Sequence, residues 1–136
     1  MASQKQTDLK NIFNALQGPE RKYEKIIEMG RELLHISPTA RIEKNLVSGC
    51  QSILYLETEF KDGLIYFNAD SEALISKGLA ALLIFVYSGQ PPETLFKQPP
   101  TFIQEIGLHQ ALSLSRSNGL SSLYRKMQQE AIKVLA

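Results

Sequence analysis

Nine consecutive residues, Leu79 to Tyr87, are all apolar. No other segment constrains the fold as strongly, because a helix that is apolar all round must be enclosed by protein or by lipid. A membrane-spanning helix needs about 20 such residues. Extending this run backwards meets Lys77 and Gly78, and Ser88-Gly89-Gln90-Pro91-Pro92 stops it forwards. The segment therefore reads as a central helix buried in protein, capped at its start by Asp70 or Ser71. A chain of 136 residues can wrap one such helix in one domain and leaves no room for two. A single domain over 1–136 is expected.

The flanking segments supply the wrapping. Leu9, Ile12, Phe13 and Leu16 recur at helical spacing within Thr7–Leu16. Gly18-Pro19 breaks that helix, and Pro19 suits the first turn of the next. The second helix shows Tyr23, Ile26, Ile27, Leu33 and Leu34 on one face, and Ser37-Pro38 ends it. Residues 41–51 are irregular. The run from Ile53 to Phe60 is rich in strand formers, Asp62-Gly63 is a hairpin signal, and Leu64 to Phe67 returns as a second strand. Four of the six prolines fall between positions 91 and 100, which limits that stretch to short helical pieces, and Gly107 closes the one starting near Thr101. Ser113 to Gly119 reads as a polar loop. A last helix carries Leu120, Leu123, Tyr124, Met127, Ala131, Val134 and Leu135 on one face. The fold class expected is α+β, with a small antiparallel sheet packed against helices.

Charge and cysteine content narrow the chemistry. Fifteen Lys and Arg against fourteen Asp and Glu leave a net charge of +1. Such balance argues against a nucleic-acid or membrane-surface coat. The sequence contains one cysteine and two histidines. One cysteine excludes an internal disulfide, a CxxC pair and a multi-cysteine zinc or iron–sulfur site, and no metal site is expected. With no apolar signal at the N-terminus, Ala2 in place of a myristoylatable glycine and no terminal cysteine box, a cytoplasmic location is the expectation.

The candidate nucleophile is Cys50. Gly49 precedes it, Ser48, Gln51 and Ser52 surround it with polar groups, and Arg41 and Lys44 are close in sequence. Cationic neighbours lower a thiol's pKa. From spacing alone, a free cysteine is more often a small apolar filler. His35 and His109 are potential bases for a thiol enzyme, but each reads first as a surface or cap residue. Asp70 and Glu72 read first as helix-capping and dipole-compensating carboxylates. The Ser113–Gly119 stretch reads as a helix-entry loop or an anion nest. No GxxxxGK[ST] or GxGxxG phosphate fingerprint occurs.

Taken in order, three motifs resemble the SufE family, the sulfur-acceptor partners of cysteine desulfurases. Residues Arg41 to Ser52 resemble the pattern R-x-x-x-N-x-V-x-G-C-Q-S, through Arg41, Asn45, Val47, Gly49, Cys50, Gln51 and Ser52. Phe67-Asn68-Ala69-Asp70-Ser71-Glu72-Ala73, followed by Lys77 to Leu83 and Tyr87-Ser88-Gly89, forms the second. Gly107-Leu108, Leu112-Ser113 and Ser115 to Leu120 form the third. Three departures stand out: the family usually has proline where this chain has Leu114, often histidine where it has Ala111, and commonly Q-V-W-L in the strand after the cysteine, where this chain reads Ile53-Leu54-Tyr55-Leu56.

The resemblance implies a SufE/IscU-like α+β fold and a function. The family cysteine, matched by Cys50, takes persulfide sulfur from a pyridoxal-phosphate desulfurase, stimulates that enzyme, and passes the sulfur on for iron–sulfur cluster assembly. The chain needs no cofactor of its own, since the pyridoxal phosphate belongs to the partner. It is not an independent enzyme. The implied partners are a cysteine desulfurase and a downstream acceptor or cluster scaffold; a homodimer rests on the resemblance alone. Gly49 would let the cysteine loop bend, Gln51 and Ser52 would hold it, and Arg41 and Asn45 would fix its scaffold. Arg116 would favour the thiolate or gate access, and Asp70 would tune the thiol. The alternatives are a non-covalent desulfurase adaptor, a branch delivering sulfur to another acceptor such as tRNA modification, and a thiol enzyme pairing Cys50 with His109.

Overall fold

The computed structural model describes residues 2–33, 41–47, 53–107 and 114–135, the side chains of 114–117 excepted. Six helices and one hairpin make up its described elements. In chain order these are α1 (Ala2–Asn14), α2 (Gly18–Arg31), a 3₁₀ turn (Glu43–Asn45), β1 (Leu54–Lys61), β2 (Leu64–Ser71), α3 (Leu74–Tyr87), α4 (Thr94–Lys97), α5 (Phe102–Glu105) and α6 (Leu114–Leu135).

The apolar run is the second half of α3, and it is enclosed. Leu79 to Ile84, Val86 and Tyr87 are buried. Helices α1, α2 and α6 and strand β2 all pack on α3. The tightest of these contacts is with α2. A Cβ built on Gly78 would lie 2.2 Å from the carbonyl oxygen of Ile26, and one on Gly30 would lie 2.7 Å from the amide nitrogen of Gly78. Each helix has a glycine at the crossing, so the two backbones touch, with the Ile26 side chain packed beside Gly78.

Strands β1 and β2 pair antiparallel from Leu54↔Ser71 to Lys61↔Leu64. Asp62 and Gly63 form the two-residue turn with φ of 54° and 81°. Positive φ at both central positions is the requirement of a type I′ turn, whose twist matches that of the strands. Leu54 and Leu56 of β1 and Ile65, Phe67 and Ala69 of β2 point into the core. Each edge carries one further bridge, Leu46↔Tyr55 beside β1 and Ile65↔Gln90 beside β2. These cover part of the unpaired backbone of a two-stranded ribbon.

The proline-rich connection from 91 to 107 presents carbonyls that accept hydrogen bonds from side chains of four elements. Gln6 Nε2 donates to Pro99 O at 3.1 Å and Lys22 Nζ to Ile106 O at 2.8 Å. Tyr87 donates to Gln98 O at 2.6 Å, and Tyr124 donates to Leu95 O. Burial pushes the Tyr87 phenol far above its usual range, with Tyr124 adding to the effect. Burial also raises the Tyr124 phenol. Both therefore stay neutral donors at physiological pH.

Several sequence expectations are corrected. The first helix begins at Ala2, five residues before Thr7, because Ala2 and Gln6 continue the buried face of Leu9 and Phe13. The second helix ends at Arg31, so Leu33 lies beyond it. The second strand runs four residues past Phe67, to Ser71. Asp70 and Ser71 are therefore strand residues and α3 starts at Leu74, with Ala73 at its N-cap and no side-chain cap bond. The polar stretch read as a loop is helical from Leu114. Ser and Asn cost a helix only about 0.5 kcal/mol each and Gly about 1. Burial of Leu120, Leu123, Met127 and Ala131 on the same helix outweighs that sum. Leu34 and the Ser37-Pro38 stop lie outside the described residues.

The α2–α3 contact yields a test. Gly78→Ala places a methyl against the backbone of Ile26, which has no side-chain route of escape. It is expected to lower stability by about 3 kcal/mol, read as a shifted urea midpoint. Gly18→Ala meets no atom within 4 Å and is expected to cost less, through its left-handed φ alone.

Candidate functional site

Residues 48–52, and with them Gly49, Cys50, Gln51 and Ser52, lie outside the described residues, as do His35, His109 and Ala111. What is described is the frame that holds both ends of this segment. On the N-terminal side, Leu46 bridges Tyr55, and Val47 N donates to Leu54 O at 2.9 Å. On the C-terminal side, Ser71 Oγ donates to Ile53 O at 2.6 Å and accepts from Ala73 N at 3.2 Å. Ser71 thus ties the start of β1 to the link between β2 and α3.

Two of the residues singled out from sequence meet beside that frame. Arg41 Nη2 forms an ion pair with Asp70 Oδ2, and Lys77 Nζ stands 3.5 Å from Asp70 Oδ1. The same Oδ1 accepts from Ser71 N at 3.0 Å. Asp70 and Lys77 side chains are each 10% exposed and Arg41 is 44% exposed. The carboxylate thus has a solvent-facing cation on one side and a buried one on the other. Asp70 projects from the outer face of the hairpin, opposite Tyr55. It is buried there because Arg41 and Lys77 cover it.

These groups line a cleft of about 380 Å³ with Ile53, Tyr55, Ser71, Glu72 and Leu74. Ile53 and Leu74 stay 59% and 49% exposed, giving the cleft an apolar lip around a charged floor. Exposed apolar side chains beside buried charge suit a surface that is covered transiently.

The other sequence candidates fall in different places. Asn45 ends the 3₁₀ turn, half-buried, with its backbone N donating to Ile42 O at 2.9 Å. Arg116 lies on α6, and its side chain is outside the described residues. Among the described residues, no group of three or more His, Cys, Asp and Glu could hold a metal ion, and no helix is long and apolar enough to cross a membrane.

Sequence reasoning missed Lys77 as a site residue. The signal was present: a lysine inside an otherwise apolar helix is buried only when paired. Asp70, read first as a helix cap, is its partner.

The Asp70 cluster predicts a coupling. Asp70→Asn leaves Lys77 buried without its counter-charge and is expected to cost about 3 kcal/mol. The double variant Asp70→Asn, Lys77→Met is expected to recover part of that loss. A double-mutant cycle in urea checks it, and simple additivity would refute the pairing.

Comparison with known proteins agrees with this architecture. The family pattern described as "SufE: Fe-S metabolism associated domain" matches residues 7–131. The chain is 33% identical over 126 residues to SufE-like protein 1, chloroplastic/mitochondrial, of Arabidopsis thaliana; this covers 92% of the chain and 34% of the relative. It is 35% identical over 114 residues to an uncharacterized SufE-like protein of Synechocystis, covering 84% of the chain and 72% of the relative. It is 32% identical over 115 residues to the cysteine desulfuration protein SufE of Plasmodium falciparum, covering 81% and 46%. The chain thus spans about a third and about half of the Arabidopsis and Plasmodium proteins, respectively. The solution structure of a hypothetical protein from Thermus thermophilus superposes with a TM-score of 0.80 at 22% identity, covering 96% of both chains, which bears on the fold. With a family match over nearly its whole length and a relative at 35% identity largely covered, the chain belongs to the SufE family, whose domain is associated with iron–sulfur metabolism.

Proposed function

We propose that this protein accepts sulfur from a cysteine desulfurase on Cys50, stimulates that enzyme in doing so, and hands the sulfur on for iron–sulfur cluster assembly. The observation that carries the reading is the pinning of both ends of the 48–52 segment, at Leu46-Val47 and at Ile53, beside the Arg41–Asp70–Lys77 cleft. Cys50 is three residues from Val47 and three from Ile53. Bond geometry alone keeps it within about 11 Å of each. The family's sulfur chemistry and the name of the Plasmodium relative, a cysteine desulfuration protein, support the same reading.

The transfer is an exchange at sulfur. The Cys50 thiolate attacks the outer sulfur of a persulfide on the donor's cysteine. A new S–S bond forms at Cys50, the donor's S–S bond breaks, and the donor cysteine leaves with the electron pair and takes up a proton. The sulfane sulfur moves without net oxidation or reduction, so the acceptor needs one thiol and no metal. A second thiol nearby would attack the new persulfide and release sulfide. A chain with one cysteine avoids that loss. Arg41 and Lys77 stand beside the frame but are paired with Asp70, so the frame presents a balanced set of charges to the transfer. The cytosol is the compartment this chemistry suits, since a reducing medium keeps the acceptor thiol free.

Incubation with a cysteine desulfurase and free cysteine, followed by intact-mass spectrometry, tests the proposal. The expected result is an added mass of one sulfur atom that reductant removes and that Cys50→Ser lacks. Full stimulation of the desulfurase by Cys50→Ser would sink the carrier reading in favour of a non-covalent adaptor.

A further inference from the structure

A second cleft, of about 210 Å³, lies between the end of the 3₁₀ turn and α6, lined by Leu46, Ser122, Arg125, Lys126 and Gln129. The four α6 residues follow the i, i+3, i+4, i+7 pattern and so share one face of the helix. Each carries a hydrogen-bond donor, and no carboxylate lines the cleft. Lys126 Nζ donates to Lys44 O at 3.0 Å, which ties the turn to α6 and leaves two of its N–H groups unused. Arg125 is exposed and has no ion-pair or hydrogen-bond partner among the described residues. The nearest acid along the same helix, Glu130, pairs with Lys133 at 2.6 Å.

A guanidinium fork and an ammonium on one face, with no carboxylate lining the cleft, suit a carboxylate ligand, which can take both N–H groups of the fork. The volume admits a side chain and excludes a helix or a nucleotide-sized ligand. Leu46, on the cleft wall, also forms the bridge that starts the frame of residues 48–52. A group bound here sits beside Leu46, where that frame begins.

We propose that this cleft docks an acidic side chain, Asp or Glu, on the surface of the sulfur donor, with Arg125 as its main contact. The inference rests on the sulfur-acceptor reading and adds the chemistry by which the donor is held. Exposed charge pairs of this kind raise the rate of encounter and make it salt-dependent, as suits a partner that must dock and leave.

The test measures stimulation of a cysteine desulfurase as this protein is titrated in, at about 50 and about 300 mM NaCl, a range over which exposed charges are progressively screened. Arg125→Glu is expected to raise the half-saturating concentration about tenfold at low salt, with the maximal rate kept and the salt dependence reduced. Lys133→Glu, the same charge change outside the cleft on the same helix, is expected to shift it less than about twofold. Equal shifts for the two variants, or a lowered maximal rate at unchanged half-saturation, would overturn the docking role. So would inhibition of the wild type by inorganic phosphate beyond that of chloride at equal ionic strength and absent in Arg125→Glu, which would make the cleft a small-anion site. If Cys50 acquires sulfur in both proteins but half-saturation does not move, the docking inference falls and the carrier reading stands. If Cys50 never acquires sulfur, the carrier reading falls and takes the docking role with it.

Discussion

The backbone contact between Gly30 and Gly78 is the constraint around which this molecule is arranged. Two helices normally stand 8–10 Å apart, held off by side chains. Here each helix has a glycine at the crossing, and added Cβ atoms would reach 2.2 and 2.7 Å from the opposing backbone. The close approach sets how α2 lies on α3. Lys77 immediately precedes Gly78, so the contact that seats the helix also sets where the buried ammonium points. From there the chain runs back through Ala73 and Ser71 to Asp70, its counter-charge. The packing of the core and the electrostatics of the cleft are thus consecutive in sequence.

That arrangement explains how a small hairpin can anchor the segment that carries Cys50. A two-stranded ribbon is marginal by itself. This one is covered by α3 on its inner face, bridged at both edges, and cross-tied at its open end by Ser71 to Ile53. The segment carrying Cys50 joins the frame at that braced end. Asp70 on the outer face would be costly to bury alone. With Arg41 and Lys77 around it, the carboxylate is compensated. The basic face of α6 adds a positive feature beside Leu46.

Much of this was legible in the residues. The apolar run from Leu79 announced a central helix, Asp62-Gly63 announced the hairpin turn, and the prolines between 91 and 100 announced short helices. Each is a local signal with one physical meaning. The errors fell where a local preference is weak. Ser113 to Gly119 has the composition of a loop, yet the structure is helical from Leu114, because propensity differences of a few tenths of a kcal/mol yield to a buried face further along. Asp70 and Ser71 have the look of helix caps, and a cap and a strand end are indistinguishable without the register of the opposite strand. That register places Asp70 opposite Tyr55.

The sequence by itself determined the family and the chemistry open to it: one thiol at position 50, no second cysteine beside it, and three ordered motifs that no random chain of this length would share. Tertiary structure alone decided which charges surround the thiol's frame. Arg41, Asp70 and Lys77 are separated by 29 and 7 positions, and nothing in the periodicity of any one element relates them. They meet because the hairpin register, the α2–α3 glycine contact and the turn before β1 act together. The same holds for Arg125, an ordinary surface arginine in the sequence, which gains meaning only because α6 crosses the end of the 3₁₀ turn. Covalent composition is written along the chain, whereas a shared electrostatic site depends on distances that only packing sets.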